Sequence, residues 1–140
     1  MFLNWQVNVA FEVWGILFCL MAATIGYIAS GANQNRRMWL TGLFLAQALE
    51  LLFDATSWIF RGSDTLAGYY LVRIGNAGVF IVNYLLLIIS TGYLCSYIKK
   101  KHEHWIELWI ACGLSGAGIL LTLATQFYPL LYRIDGANMY

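Results

Sequence analysis

The apolar residues of this chain fall into four long runs, about 9–30, 38–60, 66–98 and 105–128, separated by short segments rich in Gly, Asn, Asp, Lys and Arg. Each run reaches or exceeds the ~20 residues that carry a helix across a bilayer. None shows the period-two alternation of a membrane barrel strand, and each is about twice such a strand's length. The pattern predicts an all-α integral membrane protein, a four-helix antiparallel transmembrane bundle forming a single domain over 1–140. The first run breaks at Gly31-Ala32-Asn33-Gln34-Asn35-Arg36-Arg37, the second at Arg61-Gly62-Ser63-Asp64, and the third at Lys99-Lys100-Lys101-His102; Gly, Asn and Asp supply turn chemistry. The fourth should stop at Tyr128, because Pro129 lacks an N–H and clashes with the preceding turn. The third run is longer than the hydrocarbon requires, so it should tilt or project.

Polar residues inside the runs are not scattered. Gln47, Glu50, Asp54, Ser57 and Arg61 follow steps of three, four, three and four, which places them on one face of the second helix. Tyr69, Arg73, Asn76, Phe80 and Asn83 follow steps of four, three, four and three on the third. Asp54 sits roughly 10 Å from its helix end at 1.5 Å per residue, with Arg73 comparably deep. An unpaired charge there costs at least ~3 kcal/mol, so an Asp54–Arg73 ion pair is expected. Glu50, a turn deeper, should face the Asn76 to Asn83 stretch and is a candidate for protonation; Glu12, in the first turns of helix one, could join. The stripe reads in two ways. As an interhelical clasp, each polar link contributes around 0.6 to 2 kcal/mol. As a ligand or ion pocket, it has Arg73 as an anion partner and Glu50 as a proton-linked switch.

Composition narrows the function classes. The chain has 140 residues, 61% hydrophobic and 11% charged, with a single proline and a mean hydropathy of +0.66. Four spans nearly exhaust that length, leaving no room for a soluble catalytic domain, so an enzyme is not expected. The formal net charge of +1 and the dispersed basic residues give no nucleic-acid surface. Cys19, Cys95 and Cys112 lie in different apolar runs with neither disulfide nor metal-ligand spacing. His102 and His104 flank Glu103 in a basic loop, too few ligands for a metal site; no metal or other cofactor is expected. Met1 to Gly15 carries no Lys or Arg, so the first run should be a retained span rather than a cleaved signal peptide. No internal repeat is evident.

Basic residues also orient the chain. Arg36-Arg37 and Lys99-Lys100-Lys101 fall on one side, and the positive-inside rule makes that side cytoplasmic. A multi-pass cell-membrane protein with its N-terminus outside and loops 31–37 and 99–104 inside is expected. Trp39, Trp105 and Trp109 then mark the inner boundary, and Trp5, Tyr69, Tyr70, Tyr128 and Tyr132 the outer one. Gly113, Ser115, Gly116, Ala117 and Gly118 give the fourth helix a smooth face for close packing.

The segments Leu51-Leu52-Phe53-Asp54-Ala55-Thr56-Ser57-Trp58-Ile59-Phe60-Arg61-Gly62, Tyr70-Leu71-Val72-Arg73-Ile74-Gly75-Asn76 and Phe80-Ile81-Val82-Asn83-Tyr84-Leu85-Leu86 resemble the N-terminal multi-spanning sensor region of Firmicutes signalling proteins. In that family the region precedes a histidine kinase or diguanylate cyclase domain. The tail from Leu131 to Tyr140 looks like the segment leading to further spans. The resemblance implies the first half of a seven-helix-like sensor; the kinase and cyclase motifs are absent, so neither activity carries over. The leading expectation is a membrane sensory module in the lipid bilayer, binding an unknown small ligand or ion near the outer leaflet through Glu12, Gln47, Glu50, Asp54, Ser57, Arg73, Asn76 and Asn83. Its expected partners are copies of itself, or further transmembrane helices with a cytoplasmic signalling domain. The alternatives are a small ion or solute transporter or channel subunit, and a structural membrane assembly subunit.

Overall fold

A computed structural model describes residues 3–29, 34–97, 104–128 and 131–132. The described residues form four helices, α1 (Leu3–Ala29), α2 (Gln34–Phe60), α3 (Leu66–Cys95) and α4 (His104–Thr125), each long and apolar enough to cross a membrane.

The helix ends depart from the apolar runs where helix formation continues past the hydrophobic pattern. α1 begins at Leu3, ahead of Val9, and α2 at Gln34, ahead of Met38. Neither extension contains Gly or Pro, so each adds one hydrogen bond per residue at little cost. Arg36 and Arg37, expected in the loop 31–37, therefore belong to the first turns of α2. Arg36 donates through Nε to the Ser96 carbonyl at 3.1 Å and lies over the Tyr97 ring; Arg37 lies over the Tyr27 ring. The α2–α3 turn contains Gly62 at φ 76°, the left-handed region that costs Gly least. Thr65 then caps α3 with extended backbone, its hydroxyl accepting from the Gly68 N–H at 3.0 Å. α3 ends at Cys95 rather than 98, and α4 ends at Thr125 rather than Tyr128, its last residues turning out of the helix. Lys99 to Lys101, His102, Glu103, Pro129, Arg133 and Asp135 lie outside the described residues.

Consecutive helices run antiparallel. Gly15 meets Leu51 while Gly26 meets Leu40, and Gly75 meets Ser57 while Gly92 meets Trp39. Ser115 on α4 donates to the Tyr84 carbonyl on α3 at 2.8 Å. Among the described residues, α1 packs on α2, α2 on α3 and α3 on α4, and no other pair of helices is in contact. The four antiparallel helices are thus arranged as an open row, each packed on its neighbours in the chain. The physical reason lies in what joins helices in lipid. Burial of apolar side chains gives no advantage there, because lipid tails are as apolar as Leu, so helices adhere through small residues and polar links. Gly15 and Gly26 serve α1 and α2, Gly75 and Gly78 serve α2 and α3, and Ser115 and Gly118 serve α3 and α4. At Gly75 backbone meets backbone, and a Cβ there would stand 2.8 Å from the Phe53 carbonyl oxygen.

The row is bent. The α2 residues that meet α1 (Leu40, Leu51, Asp54) and those that meet α3 (Trp39, Phe53, Ser57) lie about 105° apart at about 100° per residue. Between those two directions stand Gln47, Glu50 and Asp54. On the opposite face Leu45, Leu49, Leu52 and Ile59 are exposed, the apolar surface that suits lipid.

Candidate functional site

The polar seam is centred on α2. Glu50 accepts hydrogen bonds on both carboxyl oxygens, from Gln47 Nε2 at 2.6 Å within α2 and from Asn83 Nδ2 at 2.7 Å across to α3. Asn83 Nδ2 also points to the Val79 carbonyl at 3.2 Å. One turn along α2, Asp54 receives the Ser57 hydroxyl, which donates to the Asp54 carbonyl at 2.8 Å and approaches its Oδ1 at 3.5 Å; Ser57 is fully buried. Glu12 reaches over from α1 to hydrogen-bonding contact with Asp54, near enough to Glu50 to feel its charge. Two ionised carboxylates have no hydrogen to share, so this contact is a hydrogen bond only when one of the two carries a proton. The other side of Glu12, Oε2, is buried without a donor.

The expected Asp54–Arg73 ion pair does not form. Arg73 donates to the Tyr69 hydroxyl one turn back on α3 and to the Gln126 carbonyl just beyond α4 at 2.6 Å, and its guanidinium lies over the Tyr69 ring. The cause is angular. Gly75 and Gly78 turn toward α2, and Arg73 is about 160° away from Gly75 at about 100° per residue. On that far side it finds the C-terminal carbonyls of α4, which have no partner within the helix and carry the negative end of its dipole. The capping contact is thus available to Arg73 where a carboxylate is not.

The polar stripe of α3 consequently divides. Arg73 and Phe80 serve α4 and the segment after it, where Phe80 stacks on Tyr132 at 5.6 Å and Gln126 Nε2 donates to the Tyr132 hydroxyl at 2.5 Å. Asn83 serves Glu50. Asn76 is 8% exposed, and its Nδ2 is buried without an acceptor. Of the eight expected site residues, six fall into two neighbouring hydrogen-bonded groups, Gln47 with Glu50 and Asn83 and Glu12 with Asp54 and Ser57; Arg73 is drawn elsewhere, and Asn76 stands on the same face as Asn83 without a bond to either group.

Tyr69, Gln126 and Tyr132 were absent from the expected site, yet Tyr69 and the Gln126 carbonyl receive Arg73 and the Gln126 side chain is held by Tyr132. Their signal was weak: Tyr69 shares the i, i+4 face with Arg73, but nothing in the spacing pointed to a carbonyl at the end of α4. The smooth face of α4 also divides, Ser115 and Gly118 against α3 and Gly113 and Gly116 facing open space. Among the described residues no group of His, Cys, Asp and Glu is arranged to hold a metal ion.

Comparison with protein-family models, with curated proteins and with solved structures finds no match to the chain.

Proposed function

We propose that this chain is a membrane sensory module, receiving a signal near the outer leaflet at the seam carried by α2 and passing it on through small shifts between helices. The observation that carries the reading is that its intramembrane polar groups are joined across helix boundaries. Glu12 meets Asp54 between α1 and α2, and Glu50 meets Asn83 between α2 and α3. A ligand or proton arriving at either link competes with the bond that sets two helices against each other, so occupancy and helix position are coupled. Intramembrane carboxyls commonly mark such sites.

The orientation follows the basic residues. Arg36 and Arg37 share their end of the row with the α3 C-terminus, so the positive-inside rule turns that end to the cytoplasm and the α2–α3 turn outward. Cysteine labelling at Ser63 from outside intact cells, with Arg36→Cys protected, tests this.

A proton titration tests the sensory reading. With spin labels on α1 and α3 of the reconstituted chain, lowering the pH from about 7 to about 3, across the carboxylate range, is expected to shift their separation by about 1–2 Å or more. Glu12→Gln combined with Asp54→Asn should abolish the shift. An unchanged distance in the native chain across that range removes the sensory reading.

The open row favours one second reading, an assembly subunit whose uncovered faces take further helices. A complex of defined stoichiometry that survives Glu50→Gln and Asp54→Asn supports that alternative. Proteoliposome ion flux abolished by Glu50→Gln would instead indicate a transporter or channel subunit.

A further inference from the structure

We propose that an anionic phospholipid docks on α1, its phosphate held by Arg37 in the first turns of α2 and an acyl chain lying in an apolar groove along α1. This lipid site stands apart from the sensory reading and needs only that this end of the row lie at the membrane surface.

Arg37 has donors to spare. A guanidinium carries five N–H groups, and that of Arg37 lies over the Tyr27 ring, 4.8 Å from its centre. Among the described residues no oxygen accepts from it; Nε is buried, while the two terminal nitrogens reach the surface. The acidic side chains described on α1 and α2 are distant. Glu50, the nearest along α2, is 13 residues from Arg37, about 20 Å at 1.5 Å per residue, and Glu12 is 15 residues from Tyr27.

Arg36 is a different case, since it donates to the Ser96 carbonyl and covers the Tyr97 ring. Consecutive residues diverge by about 100° around a helix, so Arg36 serves α3 while Arg37 serves α1. Arg37 lies about 170° from the α2 residues that meet α3, on the flank where no further helix follows α1.

The groove is a second, separate feature. Leu17, Leu20, Met21, Thr24 and Ile25 line an open apolar furrow on α1. Gly15 and Gly26, which meet α2, stand roughly 160° away around α1, so the furrow faces outward from the row. The Thr24 hydroxyl donates to the Leu20 carbonyl at 2.8 Å, which leaves the wall apolar. Tyr27 follows Thr24 by three residues and Leu20 by seven, so one edge of the furrow leads to the ring on which Arg37 rests. Any exposed helix face in a bilayer meets acyl chains; this one ends at a guanidinium without an acceptor. Arginine and phosphate pair through parallel charge-assisted hydrogen bonds, and basic groups beside transmembrane helices recognise anionic headgroups. Apolar furrow and cationic end together match a molecule with an acyl chain and a phosphate.

The full chain in a mild detergent is titrated with phosphatidylglycerol and with phosphatidylcholine, and bound lipid is counted by native mass spectrometry. Phosphatidylglycerol is expected to bind more tightly and to saturate. Arg37→Gln should weaken it about fivefold and erase its advantage over phosphatidylcholine. Arg36→Gln, the same loss of charge one residue away, should spare that advantage. Thr24→Trp, which fills the furrow from an exposed position, should weaken both lipids, and glycerol phosphate, a headgroup without chains, should not compete. Helical circular dichroism and elution volume establish that each variant is folded. Equal binding of the two lipids by the native chain, equal losses in Arg36→Gln and Arg37→Gln, or indifference of folded Thr24→Trp overturns the lipid site. Displacement by glycerol phosphate also overturns it, and assigns Arg37 to a soluble phosphate instead.

Discussion

Arg73 shows how far the chemistry of one side chain depends on its angular position. Its depth in the helix demanded a partner, and Asp54 on the next helix was the natural one from residue spacing. The partner it takes is instead a carbonyl at the end of α4, because the side chain leaves α3 on the face away from α2. The consequence is measurable in double-mutant cycles. Asp54→Ala and Arg73→Ala are expected to be additive within about 0.5 kcal/mol, since the two share no partner. Glu50→Ala and Asn83→Ala should show a coupling of about 0.5–2 kcal/mol, because one hydrogen bond joins them. Unfolding in mixed micelles supplies both values.

Gly75 provides a steric counterpart. An added methyl would press on the Phe53 carbonyl oxygen, which belongs to the α2 backbone and cannot swing aside. Gly75→Ala is expected to destabilise the fold by about 1–3 kcal/mol. Gly113→Ala, where a methyl enters open space, should leave unfolding unchanged or slightly improved, as Ala favours helix.

Helix ends were the least legible elements, because hydropathy reports the hydrocarbon while the helix obeys backbone hydrogen bonding. The α2 start at Gln34 illustrates the gap. Polar Gln, Asn and Arg terminate an apolar run but not a helix, and Arg36 finds the Ser96 carbonyl beyond α3. Two of the chain's arginines, Arg36 and Arg73, thus serve carbonyls at the ends of neighbouring helices. By contrast the α3 start was legible, since the Arg61-Gly62-Ser63-Asp64 break gives way to an apolar run at Leu66, where the helix begins; the structure adds Thr65 as its cap. Thr65→Ala should cost about 0.5–2 kcal/mol. It should also accelerate amide exchange at Gly68, whose N–H bonds to the Thr65 hydroxyl, more than at residues deeper in α3.

Across the molecule, the open row leaves large apolar faces uncovered. α1 touches one neighbour and presents Phe11, Trp14, Phe18 and Ile28, each at least 60% exposed; α4 likewise packs on α3 alone. In a cysteine-free background, oxidation should cross-link Gly26→Cys to Leu40→Cys, whose parent residues touch. No pair between α1 and α4 should cross-link in nanodiscs holding one chain each. Efficient α1–α4 cross-linking there would show a closed bundle in place of the row.

Much of this architecture was determined by the order of residues. Apolar runs of span length dictate helices in lipid, because every backbone polar group must be satisfied within its own segment, and short connections make neighbours antiparallel. The helical spacing of Gln47, Glu50, Asp54 and Ser57 likewise placed them on one face before any coordinates. What the tertiary structure alone decided was the partner of each polar group. That choice depends on the angle at which one helix meets the next, which Gly75 and Gly78 set by admitting the α2 backbone and the Phe53 ring. Spacing along one helix defines a face; only packing determines which neighbour that face meets, and so why Glu50 meets Asn83 while Arg73 meets the end of α4.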